Sequence, residues 1–176
     1  MVPASDLKLN RNDLLSLWVA MRRGDSTAFA PGKALEYLII RSFELEQCRV
    51  EYAFEVNLLG NVIEQIDGFI EIEGTGFLCE CKDTPSHNVF FDPIAKMVAR
   101  LNRRPSSDVG AIFATSEFTE PALVLANFTF PRTVLLWNVD EIEYALKKQY
   151  FRAGMKAKLR QAQMRGISDY NIMVEE

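Results

Sequence analysis

From Arg49 to Asp83 the chain passes through three stretches that alternate apolar and polar side chains. They are interrupted only at Gly60-Asn61 and around Gly74-Thr75-Gly76. A period of two marks strands that bury one face, and short glycine turns join antiparallel neighbours. "RVEYAFEVNLLG" and "NVIEQIDGFIEIEG" therefore read as a hairpin, and "FLCECKD" as a third strand. Such a meander must be covered by something else to be stable.

The flanking segments supply that cover. Residues 10–23 read as a short helix with Asn12 as its cap and Gly24 as its stop. "APGKALEYLIIRSFELEQ" (30–47) is the strongest helical pattern, with Leu35, Leu38, Ile39 and Phe43 on one face. After the meander, helices and short apolar strands alternate. "DPIAKMVARLNRR" is a helix, "VGAIFATS" (109–116) a strand, and "TEPALVLANF" a helix with Thr119 as cap and Pro121 in its first turn. "TVLLWNV" is a strand, and "DEIEYALKKQYF" is a helix followed by a further basic helical segment. The expected fold is α/β: a central mixed sheet of about five strands flanked by helices on both faces. At 176 residues, one domain suffices.

The chain is 48% hydrophobic and 25% charged, as a folded globular protein should be. No stretch is long and apolar enough to span a membrane, and "MVPASDLKLN" lacks the layout of a signal peptide. Cys48, Cys79 and Cys81 are an odd set without framework spacing, which favours a cytoplasmic location. The net charge of -4 hides a basic run at 147–165. Lys147, Lys148, Arg152, Lys156, Lys158, Arg160 and Arg165 fall there without an acid, which points to phosphate contact or an acidic partner. Lys156, Lys158 and Arg160 are the candidate nucleic-acid contacts of this run.

Three charges stand in otherwise apolar strands: Asp67, Glu80 and Lys82. Alternation places Phe77, Cys79 and Cys81 on one face of the third strand and Leu78, Glu80 and Lys82 on the other. If the second and third strands turn through Gly74-Thr75-Gly76, Asp67 lies opposite Lys82 or Asp83. Burying charge is costly unless it is paired or holds a metal. Two carboxylates and a backbone carbonyl make an oxygen site for a hard divalent cation, and a neighbouring lysine can orient water and stabilise negative charge.

Asp67 followed by Glu80-Cys81-Lys82 resembles the D…E-x-K signature of the PD-(D/E)xK nuclease superfamily, which has the restriction-endonuclease-like fold. A helix bearing Glu36 precedes the hairpin, as in that superfamily. "GAIFATSEFTEPALVLA" and "TVLLWNVDEIEYAL" resemble the later elements of Mrr-like restriction endonucleases, so the likeness covers roughly 30–146. Two positions depart from the pattern. Ile66 stands where a proline often precedes the aspartate, and Glu80 stands where Mrr-like proteins often carry glutamine.

The resemblance implies that Asp67 and Glu80 bind Mg²⁺ or Mn²⁺ with the Cys81 carbonyl. It implies that Lys82 positions or activates water, that Glu36 reaches the metal's outer shell, and that the reaction is phosphodiester hydrolysis on DNA. Structure-selective nucleases resembling Holliday-junction resolvases are the alternative within enzymes. A non-catalytic DNA-binding or assembly module of the same fold is the alternative outside them. With no separate sequence-reading segment visible, specificity is expected from loops, a homodimer or a partner subunit.

The remaining polar residues divide. Arg100, Arg103 and Arg104 end the helix after the site, where they either complement the helix dipole or clamp phosphates. Gln65 and the loop residue His87 are expected to have no role. Cys79 and Cys81 are expected to pack in the core and not to hold zinc.

Overall fold

The computed structural model describes residues 7–25 and 29–174. The N-terminal stretch read above for a leader lies partly outside them. Eleven elements follow in the described residues: α1 (Arg11–Arg23), α2 (Lys33–Leu45), β1 (Arg49–Leu58), β2 (Asn61–Ile72), β3 (Thr75–Lys82), α3 (Asp92–Leu101), β4 (Val109–Ala114), α4 (Glu120–Asn127), β5 (Val134–Trp137), α5 (Val139–Lys148) and α6 (Phe151–Arg165). The sheet order is β1-β2-β3-β4-β5. The first three strands pair antiparallel, and β4 and β5 join in parallel. This is the expected mixed five-stranded α/β sheet.

Helices cover both faces because each strand after the meander is apolar on both sides. One core packs α1, α2, α5 and α6 against Ile70, Phe77, Cys79, Phe113 and Trp137. The other packs α3 and α4 against Leu78, Ile112, Val134 and Leu136. Leu35, Leu38, Ile39 and Phe43 are fully buried, so the face read from α2 is the face used. Among the described residues no helix is long and apolar enough to cross a membrane.

Two local expectations are corrected. Asn10, not Asn12, caps α1: its side chain accepts from the N–H groups of Asn12 and Asp13, and Asp13 reaches back to the Asn10 N–H. That reciprocal box needs an acid three residues after the cap, which Asn10 has in Asp13. The turn between β2 and β3 holds two residues, Glu73 and Gly74, because Ile72 already pairs with Thr75. Both turn residues have positive φ (52° and 83°), the conformation a tight hairpin requires. Gly76 belongs to β3, where a Cβ would stand 2.6 Å from the Phe69 ring.

The shorter and earlier turn changes the register. The β2–β3 ladder runs from Ile72↔Thr75 to Gly68↔Cys79 and stops there. Continued one step, it sets Asp67 level with Glu80, not with Lys82 or Asp83. The ladder to β1 also skips Asp67. Ile66 packs in the core under α3 while Ile70 packs in the core under α2. Regular alternation would put these two on one face, so β2 changes its facing between them, at the aspartate.

Candidate functional site

The site forms where β2 and β3 part. Asp67 Oδ2 accepts the backbone N–H of Cys81 at 2.8 Å, a bond the ladder no longer makes. Glu80, only 4% exposed, projects from β3. Its Oε1 accepts from Lys82 Nζ at 2.7 Å, and its Oε2 accepts from Arg100 on α3. Arg100 also donates to the Gln65 carbonyl at 2.6 Å. From α2 comes Glu36, both of whose oxygens accept from Lys33 Nζ at 2.7 Å. Just beyond, at the adjoining ends of β3 and β4, Thr115 Oγ1 donates to Asp83 at 2.9 Å.

The three carboxylates influence one another. Burial raises the Glu36 pKa, the Lys33 hydrogen bond opposes it, and the charges of Asp67 and Glu80 raise it further. Burial likewise raises Asp67, with the Glu80 charge adding to it and the Cys81 N–H opposing. Burial pushes Glu80 up as well, but its hydrogen bonds to Lys82 and Arg100 outweigh that, and its pKa falls below the usual glutamate range. Asp67 makes no ion pair among the described residues. Negative charge is thus concentrated around Asp67, which is where an added cation would be favoured.

Chemically the donor set suits a hard divalent ion: two carboxylates and the Cys81 carbonyl, all oxygen. Among the described residues no group of three or more His, Cys, Asp or Glu side chains stands arranged as a metal cluster. Both Glu80 oxygens are taken by protein cations. An ion that used Glu80 would share an oxygen with one of those cations or displace it. Cys79 and Cys81 have thiols pushed well above their ordinary pKa by burial. Both side chains pack with the core under α2 and face away from Glu80.

The outlying arginines and the basic run take positions the sequence did not reveal. Arg100 is 5% exposed and committed to Glu80, so it presents no free charge to a phosphate. Arg103 and Arg104 pair with Glu64 on β2 at 3.0 and 2.6 Å. Lys158 is fully buried: it pairs with Glu141 at 2.5 Å, bonds the Tyr170 carbonyl, and lies 5.3 Å from the centre of the Trp137 ring. It cannot touch DNA. Lys156 pairs with Glu73 in the β2–β3 turn at 2.7 Å, and Arg160 contacts Met164 one turn further along α6. Glu73 lies at the opposite end of β3 from Lys82, about 23 Å away at ~3.3 Å per residue.

Sequence reading missed three parts of the site: Lys33, the Gln65 carbonyl and the commitment of Arg100 to Glu80. Lys33 stands one helical turn before Glu36, a spacing at which opposite charges meet. The other two have no local signal. His87 lies in an exposed loop beside Ser86.

No family profile matches the chain, and no curated protein matches it by sequence. Solved structures do match. A protein of unknown function, AF1548, has a TM-score of 0.47 and 15% identity, over 73% of this chain and 66% of that one. The DNA modification-dependent restriction endonuclease AspBHI has a TM-score of 0.49 and 15% identity, over 93% and 44%. The MspJI restriction endonuclease, in complex with a 27-mer oligonucleotide, has a TM-score of 0.48 and 18% identity, over 92% and 37%. The chain spans less than half the length of these two endonucleases.

Proposed function

We propose that this chain is a metal-dependent DNA endonuclease of the restriction-endonuclease-like fold, with PD-(D/E)xK chemistry. The observation that carries the reading is the meeting of Asp67 and Glu80 at the parting of β2 and β3, with Lys82 on Glu80 and the charge of Glu36 within their field. A salt-bridge ladder on an exposed sheet would not bury Glu80 or leave Asp67 without a cation.

Asp67, Glu80 and the Cys81 carbonyl would hold Mg²⁺ or Mn²⁺. Such an ion supplies charge neutralisation on a phosphodiester oxygen and a water of lowered pKa. Lys82, with its side chain 30% exposed, can swing from Glu80 to orient the attacking water and meet charge on the phosphate. Glu36, on α2 and held by Lys33, would accept hydrogen bonds from water around the ion. Sequence reading would come from loops, a second copy or a partner subunit.

The test is cleavage of supercoiled plasmid by purified protein with Mg²⁺, with Mn²⁺ and with EDTA, alongside Asp67→Ala. Activity should need the metal and vanish in the variant. Wild-type protein inert under every condition would end the nuclease reading. The occupation of both Glu80 oxygens favours a second reading, a DNA-binding module that keeps the fold without catalysis. That module would bind duplex without cutting it and take up no Mn²⁺.

A further inference from the structure

Glu80 holds two cations of different standing. Lys82 reaches Oε1 from two residues along the same strand, on a side chain 30% exposed. Arg100 reaches Oε2 from α3, on a side chain 6% exposed. Its second terminal nitrogen bonds the Gln65 carbonyl, and its Nε has no partner among the described residues. The two acceptors of Arg100 sit on neighbouring strands just past the last β2–β3 pair, Gly68↔Cys79. The guanidinium therefore spans the gap that opens when the ladder ends.

We infer that Arg100 is a fixed positioning residue for Glu80, and that Lys82 is the exchangeable cation, the one that gives up Oε1 to an incoming divalent ion. The inference rests on the nuclease reading, which names Glu80 as a ligand. Lys82 can leave because a lysine is a point charge on a flexible stem with water close by. Arg100 cannot: withdrawing it would strand a buried guanidinium, a carboxylate oxygen and a carbonyl together. Held at Oε2, Glu80 keeps one orientation while its other oxygen changes partner. The planar fork of arginine suits this task, since it binds two acceptors at once.

The two cations can be told apart by sign. If each merely competed for Glu80, removing either would tighten metal binding. A positioning role predicts opposite changes. Lys82→Met should tighten Mn²⁺ binding or leave it unchanged. Arg100→Gln should weaken it by at least about tenfold, as loss of a ligand-orienting partner does. Arg100→Lys keeps the charge but not the fork and should fall between.

The measurement is calorimetric titration of MnCl₂ into wild type and the three variants, each also followed by thermal melting. Arg100→Gln that melts cooperatively and binds Mn²⁺ as well as or better than wild type overturns the inference. Should Arg100→Gln not fold, Arg100→Lys decides: weaker binding than wild type supports the role, and equal or tighter binding overturns it. Wild-type protein that takes up no Mn²⁺ overturns the nuclease reading along with this one, and the wild-type titration alone reveals that case.

Discussion

Asp67 accepts the backbone N–H of Cys81 across the point where β2 and β3 separate. A side chain thus takes over from the backbone ladder, and the strands part without leaving a buried donor unmade. The same bond anchors one oxygen of Asp67 one residue beyond Glu80. Strand separation and carboxylate placement are here a single event.

The two carboxylates should respond to neutralisation with opposite signs. Asp67 has a raised pKa, chiefly from burial and then from Glu80, so stability is lost as pH rises from the ordinary aspartate value to that raised value, and the loss is complete above it. Asp67→Asn keeps an acceptor for Cys81 and should raise stability at pH 7 by about 1 kcal/mol while abolishing cleavage. The gain should fade as pH falls from the raised value to below the ordinary aspartate value, where both folded and unfolded carboxyls are protonated. Glu80 has a lowered pKa, so its ionised form contributes stability above the ordinary glutamate value, lost as pH falls through the lowered one. Glu80→Gln leaves Arg100 unpaired and should cost about 3 kcal/mol. Thermal melts at pH 7 and pH 4 check both, and a destabilised Asp67→Asn at pH 7 would contradict the assignment.

Lys82→Ala should lower Mg²⁺-dependent cleavage at least about a hundredfold. Its melting temperature should stay close to wild type, because the side chain is partly exposed and its ion pair is not the only one on Glu80. Plasmid nicking and circular dichroism on one preparation separate the two effects. Full activity would remove Lys82 from the mechanism.

The basic C-terminal helix should matter for folding and not for cutting. Lys158→Ala leaves the buried Glu141 without its cation, and should cost about 3 kcal/mol in urea unfolding. Lys156→Ala combined with Arg160→Ala removes charge at the far end of β3 and should leave cleavage rates within about twofold of wild type, since contacts beyond ~8 Å are largely screened at physiological salt. A steep drop in rate for that double variant would place DNA against α6 after all.

Gly68 adjoins Asp67 and lies against α2. A Cβ there would stand 2.3 Å from Ile40 Cδ1 and 3.3 Å from the Glu51 carbonyl. Ile40 is fully buried, and the Glu51 carbonyl is backbone and cannot turn aside. Gly68→Ala should therefore cost about 1–3 kcal/mol by overpacking, and cleavage should fall as α2 and Glu36 shift. Chemical denaturation measures the first effect, and an unchanged midpoint would show that α2 yields freely.

The sequence by itself determined the order of elements, the meander, the apolar face of α2 and the spacing of Asp67, Glu80 and Lys82. These are local properties: periodicity, turn residues and alternation act over a few neighbours and survive whatever the rest of the chain does. The length of the β2–β3 turn was less legible. Gly76 looks like a turn residue, yet its glycine answers to the Phe69 ring across the sheet, a contact with no trace in local pattern. The turn's shorter length and its earlier place in the chain together set Asp67 level with Glu80. Which charges are buried was decided only by tertiary structure. Arg100 and Lys158 look like solvated helix charges in sequence, but each is drawn inside by one acid on another element, Glu80 or Glu141. Desolvating a charge is tolerable only with its partner in place, and that partner is chosen by packing, not by neighbours in the chain.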